Sequence, residues 1–174
     1  FQAQNAGLAI AACLNFLGGS KENEIRKGLE AVHWEGRLEV VSDSPTVVLD
    51  CAHNVASVRN MTSEVRKNIN FDRCFVILGL MKDKEIDNII EILSQFGDLF
   101  FLVQVNPERG ETTEKLKEKL NKYNKRIQVS ESVSDALQAA KKFAKPKDLV
   151  CITGSFYTVA EAKKCFQHEK NLAN

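Results

Sequence analysis

Three groups able to do chemistry, Asp50, His53 and Asn54, crowd one short stretch, "LDCAHNVASV" at 49–58, where an apolar run gives way to a helix-like one. A carboxylate accepts from N–H groups or paired hydroxyls, an imidazole holds or moves a proton near neutrality, and an amide caps a helix. Turns of this kind hold ligands in parallel α/β sheets, because strand carbonyl ends and helix N–H ends converge there. Similar polar residues follow other apolar runs: Lys82 and Asp83 after "CFVILG", Asn106 and Arg109 after "LFFLV", and Ser155 after "LVCIT". Each also has a plain structural account. Asn54 and Ser155 are good helix N-caps, and Asp50 can cap its own turn. Lys82-Asp83-Lys84 reads as a solvated helix start, His53 as a hydrogen-bonded structural histidine, and Arg37 as a surface residue of an edge strand. Residue types alone leave both accounts standing.

The elements that must position these residues follow from hydrophobic periodicity. Leu8, Ala11, Ala12 and Phe16 recur at helical spacing before Gly18-Gly19, and a second helix is expected over 24–32. Two β-rich runs, 38–42 and 46–50, flank a hairpin turn at Ser42-Asp43-Ser44-Pro45. Strand-like runs at 74–79, 99–103, 126–129 and 149–153 are then separated by amphipathic segments. One stripe carries Val58, Met61, Val65 and Ile69, another Ile86, Ile89, Ile90 and Leu93. A third, Ala136, Leu137, Ala140 and Phe143, follows a Ser132/Asp135 capping box. Strands alternating with helices imply a Rossmann-like, mostly parallel six-stranded α/β sheet with helices on both faces. In such a sheet the polar residues share the rim at the strand carboxyl ends. A boundary near Gly36 separates the helical start from the α/β body.

Composition narrows the function. The 174 residues are 44% hydrophobic, enough for one well-buried domain and a short appendage. Lys and Arg number 24 against 23 acidic residues, so no basic excess points to nucleic acid or an anionic membrane. No apolar run approaches the roughly 18 residues of a membrane span. Five cysteines, Cys13, Cys51, Cys74, Cys151 and Cys165, lie far apart without a CxxC pair, which fits reduced, mostly buried thiols and a cytoplasmic setting. The chain opens inside a helix without an initiator Met or N-cap, so part of a longer protein is expected.

Five stretches, "QNAGLAIAA", "WEGRLEVV", "LDCAHNVAS", "LGLMKDKE" and "ITGSFYTVAE", occur in the order and at about the spacings of the carboxy-terminal part of the folylpolyglutamate synthase/dihydrofolate synthase branch of the Mur ligases. The chain resembles that family over nearly its whole length. It departs at Phe1, where those enzymes often carry His, at Cys51, where Gly is frequent, and at Val55, where Pro commonly opens the helix.

The resemblance implies an ATP- and Mg²⁺-dependent ligase that phosphorylates a folate or dihydropteroate carboxylate and lets the amine of L-glutamate displace the phosphate. The chain contains no G-x-x-x-x-G-K-[ST] segment, and "GGSK" at 18–21 has the wrong spacing. Residues 1–36 are then expected to be the tail of the ATPase domain plus linker, and 37–174 the domain that closes over the cleft, working against its own N-terminal ATPase domain as a monomer. The resemblance places Asn5 near adenine, Arg37 at the nucleotide and Asp50 near ribose. It puts His53, Lys82 and Ser155 on the glutamate side, with His53 orienting substrate or steadying phosphate, and no protein metal ligand. Rival readings are a peptidoglycan-precursor ligase, a non-catalytic nucleotide- or amino-acid-binding module, and an interaction domain.

Overall fold

The computed structural model describes residues 2–17, 21–32 and 34–172. Two compact units divide the chain, Phe1–Glu35 and Gly36–Asn174. The first holds α1 (Gln2–Leu17) and α2 (Glu22–Glu30). The second helix starts and ends two residues earlier than its apolar spacing suggests, with Glu22 and Glu24 in its first turn, where carboxylates complement the helix dipole. None of its residues is buried, and Leu8, Phe16 and Trp34 are exposed. Phe1 and the Gly18-Gly19 stop lie outside the described residues.

The second unit is a six-stranded sheet. In chain order it runs β1 (Glu39–Asp43), β2 (Thr46–Leu49), α3 (Val55–Asn68), β3 (Cys74–Leu78), α4 (Ile86–Phe96), β4 (Leu99–Leu102), α5 (Thr113–Asn121), β5 (Arg126–Val129), α6 (Val133–Phe143), β6 (Leu149–Thr153) and α7 (Phe156–Leu172). The spatial order is β1-β2-β6-β3-β4-β5. Only the β1–β2 pair is antiparallel. It is joined through the tight Ser44–Pro45 turn.

Two apolar layers sandwich the sheet. One face packs Val58, Met61, Ile89, Leu93 and Leu116 of α3, α4 and α5; the other packs Val133, Leu137, Val159 and Ala162 of α6 and α7. Strands covered on both sides are almost wholly apolar, and all five residues of β3 and of β6 are buried, the one polar side chain, Thr153, being hydrogen-bonded at the end of β6. The helices reverse face where the chain reverses direction across the sheet. Steps outward from β2 to β5 carry helices on one face, and the return from β5 to β6 carries α6 on the other, which keeps one handedness of crossover throughout.

Local signals match the elements with two differences. Ser132 caps α6 by accepting from the Asp135 N–H at 3.1 Å, but the Asp135 carboxylate takes the Ser132 hydroxyl at 2.6 Å rather than a backbone N–H. Phe143 is 56% exposed although it continues the α6 stripe, because it ends the helix and no further turn covers its outer face. Cys51, Cys74 and Cys151 are buried free thiols, whereas Cys13 is exposed.

The end of β6 is a tight backbone crossing. Gly154 has φ +106°, and a Cβ there would meet the Gly79 carbonyl oxygen at 2.6 Å. Such backbone is essentially restricted to glycine, so Gly154→Ala is expected to cost about 1–3 kcal/mol from strain alone. Thermal or urea unfolding of the variant checks this; a melting temperature equal to the parent's contradicts it.

Candidate active site

The rim is built where β2, β6 and β3 end level with one another. Leu49 pairs with Ile152 and Leu78 with Thr153, so the turns after these strands emerge side by side. Hydrogen bonds stitch the turns together. The Asp50 N–H donates to the Ile152 carbonyl at 3.0 Å, the Gly154 N–H to the Ala52 carbonyl at 3.0 Å, and the Thr153 hydroxyl to that same carbonyl at 3.3 Å. The chain leaves β2 and β3 towards one face and β6 towards the other. β6 is therefore flanked by the switch in direction of the sheet, the place where open α/β sheets bind ligands.

Asp50 lies at the floor, 2% exposed. Its two oxygens accept from the Leu38 N–H at 2.9 Å and the Ala52 N–H at 2.8 Å. The carboxylate therefore ties the segment carrying Arg37 to the end of β2. Leu38 has φ +48°, an unusual conformation for a branched side chain, and the Asp50 bond helps to hold it. Burial pushes the Asp50 carboxyl above its ordinary value, against the opposing pull of the two N–H donors and the Arg37 charge. The same segment is clamped again by Glu39, which accepts from the Gly36 N–H at 2.7 Å and pairs with Lys163 at 3.1 Å.

His53 stands above this floor, half-buried. Its Nδ1 lies 2.8 Å from the Cys51 carbonyl, and because a carbonyl only accepts, Nδ1 carries the proton of this bond. Asn54 caps α3 in a reciprocal box with Ser57: its Oδ1 accepts from the Ser57 N–H at 2.8 Å, and its own N–H donates to Ser57 Oγ at 3.1 Å. Cys51, beside them, is no nucleophile, since burial pushes its thiol up to about 11.

Ser155 caps α7, accepting from the Thr158 N–H at 3.0 Å. Thr158 donates its hydroxyl to the Gly79 carbonyl at 3.0 Å, so the 2.7 Å contact between the two hydroxyls has Ser155 as donor. Its only proton is spent in a buried chain, Ser155 to Thr158 to Gly79, and the residue is 2% exposed. Lys82 is exposed, with Nζ 2.9 Å from the Glu108 carbonyl, and thus turned towards the β4–α5 loop. In that loop Asn106, at φ +55°, accepts from the Arg109 N–H at 3.0 Å. Asn5 belongs to the first unit.

One residue of this rim escaped the reading of polar types. Phe156, the first residue of α7, sits with its ring centroid 5.5 Å from that of His53 and 5.7 Å from Arg37 Cζ. The one available signal was its place directly after Ser155, where a large apolar residue opens a helix at the rim. Among the described residues no group of three or more His, Cys, Asp or Glu side chains could hold a metal ion.

The family of this fold can be read from similarity. The family model described as "Mur ligase, glutamate ligase domain" matches residues 36–156. The chain belongs to the Mur ligase family. It is 33% identical to the dihydrofolate synthase/folylpolyglutamate synthase of Escherichia coli over 156 residues, 90% of this chain and 36% of that protein. A solved structure described as E. coli FolC in complex with DHPP and ADP superposes with a TM-score of 0.87 at 32% identity, over 95% of this chain and 39% of that one. A solved bifunctional folylpolyglutamate synthase/dihydrofolate synthase with Mn, AMPPNP and L-glutamate bound gives 0.76 at 27%, over 86% and 36%. This Mur ligase domain thus spans well under half the length of the relatives it matches.

The buried acid generates a test of pH dependence. Because the folded state raises the Asp50 pKa, it binds that proton more tightly than the unfolded chain does. The contribution of this group to stability is complete below the unfolded value and is lost as pH rises through the folded one. Asp50→Asn removes that slope, so the stability of the parent minus that of the variant is expected to fall as pH rises from about 4 towards neutrality. Urea denaturation across that range measures it; a difference that rises with pH reverses the assignment.

Proposed function

We propose that this chain supplies the glutamate-side domain of an ATP-dependent carboxylate–amine ligase of folate metabolism. The observation that carries the reading is the convergence of Arg37 and His53 at the carboxyl ends of the central strands, beside the N-termini of α3 and α7, in a chain of the Mur ligase family. The relatives' pairing of nucleotide with DHPP, and of AMPPNP with L-glutamate, supports it. In the proposed reaction a carboxylate oxygen of folate or dihydropteroate takes the γ-phosphoryl group of ATP and ADP leaves. The amine of L-glutamate then attacks the acyl carbon, loses its proton and expels phosphate. A free carboxylate resists such attack until phosphate replaces its oxide as the leaving group.

The residues divide accordingly. Arg37 offers a permanently charged fork suited to phosphate oxygens. Asp50 fixes the backbone under Arg37, and each of its oxygens keeps a lone pair for a ribose hydroxyl. Asn5 serves adenine. His53 presents Nε2 to the glutamate carboxylate or the departing phosphate, and Lys82 brings its ammonium to glutamate by exchanging the Glu108 carbonyl for it. Ser155 contributes chiefly by fixing the start of α7, whose positive dipole end faces the same anion. Mg²⁺ would supply charge neutralisation at the phosphates, and its protein ligands would belong to the ATPase portion rather than to this unit. A cytoplasmic monomer joined to its own ATPase domain completes the reading. The relatives' names favour folate over peptidoglycan precursors.

Variants of the complete ligase test these roles. Arg37→Ala is expected to raise the ATP KM or lower kcat by roughly 10- to 100-fold with the fold intact, the worth of one charge-assisted contact. Lys82→Ala and Ser155→Ala are expected to raise the glutamate KM more than the ATP KM, and Ser155→Ala also to lose about 1 kcal/mol of cap stability. If Ser155→Ala loses stability but keeps its glutamate dependence, Ser155 is a cap and nothing more. The 174 residues alone, lacking a phosphate loop, are expected to release no phosphate from ATP in the presence of glutamate and folate. Turnover by that chain contradicts the division of labour.

A further inference from the structure

Phe156 is an unusual residue to leave 56% exposed at the start of a helix. Its backbone has little freedom: Gly154 turns the chain out of β6 at a φ open to glycine, and Ser155 caps the helix through the Thr158 N–H. The ring is thereby delivered to one spot. There it meets Arg37, whose Cζ lies 5.7 Å from the ring centroid, within the range of an attractive cation–π contact. It also meets His53, at 5.5 Å between centroids and an interplanar angle of 47°. Three chain segments far apart in sequence are joined through a single side chain.

What else holds those two partners makes the ring matter. His53 is fixed at Nδ1 by the Cys51 carbonyl, which sets one end of the imidazole but leaves its face to Phe156. Arg37 makes no hydrogen bond or ion pair among the described residues. The buried Asp50 carboxylate attracts it without a salt bridge, so the ring is its geometric anchor. A long, half-exposed guanidinium without such a support samples many rotamers, and each must be abandoned when a ligand binds.

We propose that Phe156 is a positioning residue that holds Arg37 and His53 in one cluster, so that the nucleotide side and the glutamate side of the site are set together. This deepens the ligase reading and rests on it for its catalytic consequence. The ring touches neither reacting atom. It supplies an aromatic face, for which an aliphatic side chain of similar volume is no substitute. Both half-sites should therefore respond to its loss, whereas a residue that only covers the core would change stability alone.

The test has two arms. In the 174-residue chain, a labelled-histidine NMR spectrum is expected to show contacts between the His53 ring protons and those of Phe156, and a ring-current shift of the His53 signals that disappears in Phe156→Leu. In the complete ligase, Phe156→Leu is expected to lower kcat/KM by at least tenfold for both ATP and glutamate with an unchanged melting temperature, and Phe156→Tyr to restore most of it. Absence of the His53–Phe156 contacts in the parent spectrum overturns the cluster. Parent-like kinetics in Phe156→Leu, or a defect that Phe156→Tyr fails to rescue, overturns the positioning role. A parent enzyme without glutamate-dependent phosphate release overturns the ligase reading instead, and the spectrum still decides whether the ring holds the two partners.

Discussion

The insertion of β6 between β2 and β3 is the constraint on which the site depends. This last strand in the chain has hydrogen-bonded neighbours on both sides and helices over both faces, so its residues are apolar except Thr153 at its end, whose hydroxyl is taken up by the Ala52 carbonyl. Where β6 stops, the backbone of Gly154 passes so near Gly79 that a side chain would collide with a carbonyl. Polar groups freed at the strand ends are absorbed by one another: Ala52 receives Gly154 and Thr153, and Gly79 receives Thr158. Unpaired, such buried groups would each cost about 1–3 kcal/mol. Their pairing makes the rim a rigid surface rather than three independent loops.

A second consequence is the way the segment after Glu35 is held. Gly36 and Leu38 both take positive φ, and three contacts grip the stretch: the Asp50 carboxylate, the Cys51 N–H, and the Glu39–Lys163 pair acting through Glu39. Asp50 is thus a buried acid whose desolvation cost is only partly offset by backbone donors, an arrangement that fixes a chain path. Arg37 is the product of this path. It emerges between clamped neighbours, with its charged head set against a ring.

The hydroxyl chain from Ser155 to Gly79 changes what a serine at the rim means. A serine with a spare proton could donate to a carboxylate. One whose proton is already committed instead acts by fixing the first turn of a helix, and the helix end then carries the electrostatic contribution. Family membership by itself does not distinguish these two uses of the same residue. The hydrogen-bond geometry does, because each carbonyl in the chain can only accept.

From the sequence alone, the alternation of apolar runs with amphipathic stripes determined the parallel, doubly covered sheet, because a strand buried on both faces cannot hide its composition. β5 and β6 occupy 126–129 and 149–153 as the pattern implies, and the caps at Asn54 and Ser132 stand where their side chains can reach N3. The polar rim was legible as a set of residue types following strands. Tertiary structure alone decided how that set divides. Asp50 goes to the floor and Ser155 into a buried chain, Lys82 turns to the next loop, and Arg37 and His53 meet across Phe156. Those contacts join residues from separate turns, which come side by side only once β6 has taken its slot. No local propensity encodes that pairing, and an aromatic residue opening a helix looks like core until its neighbours are known.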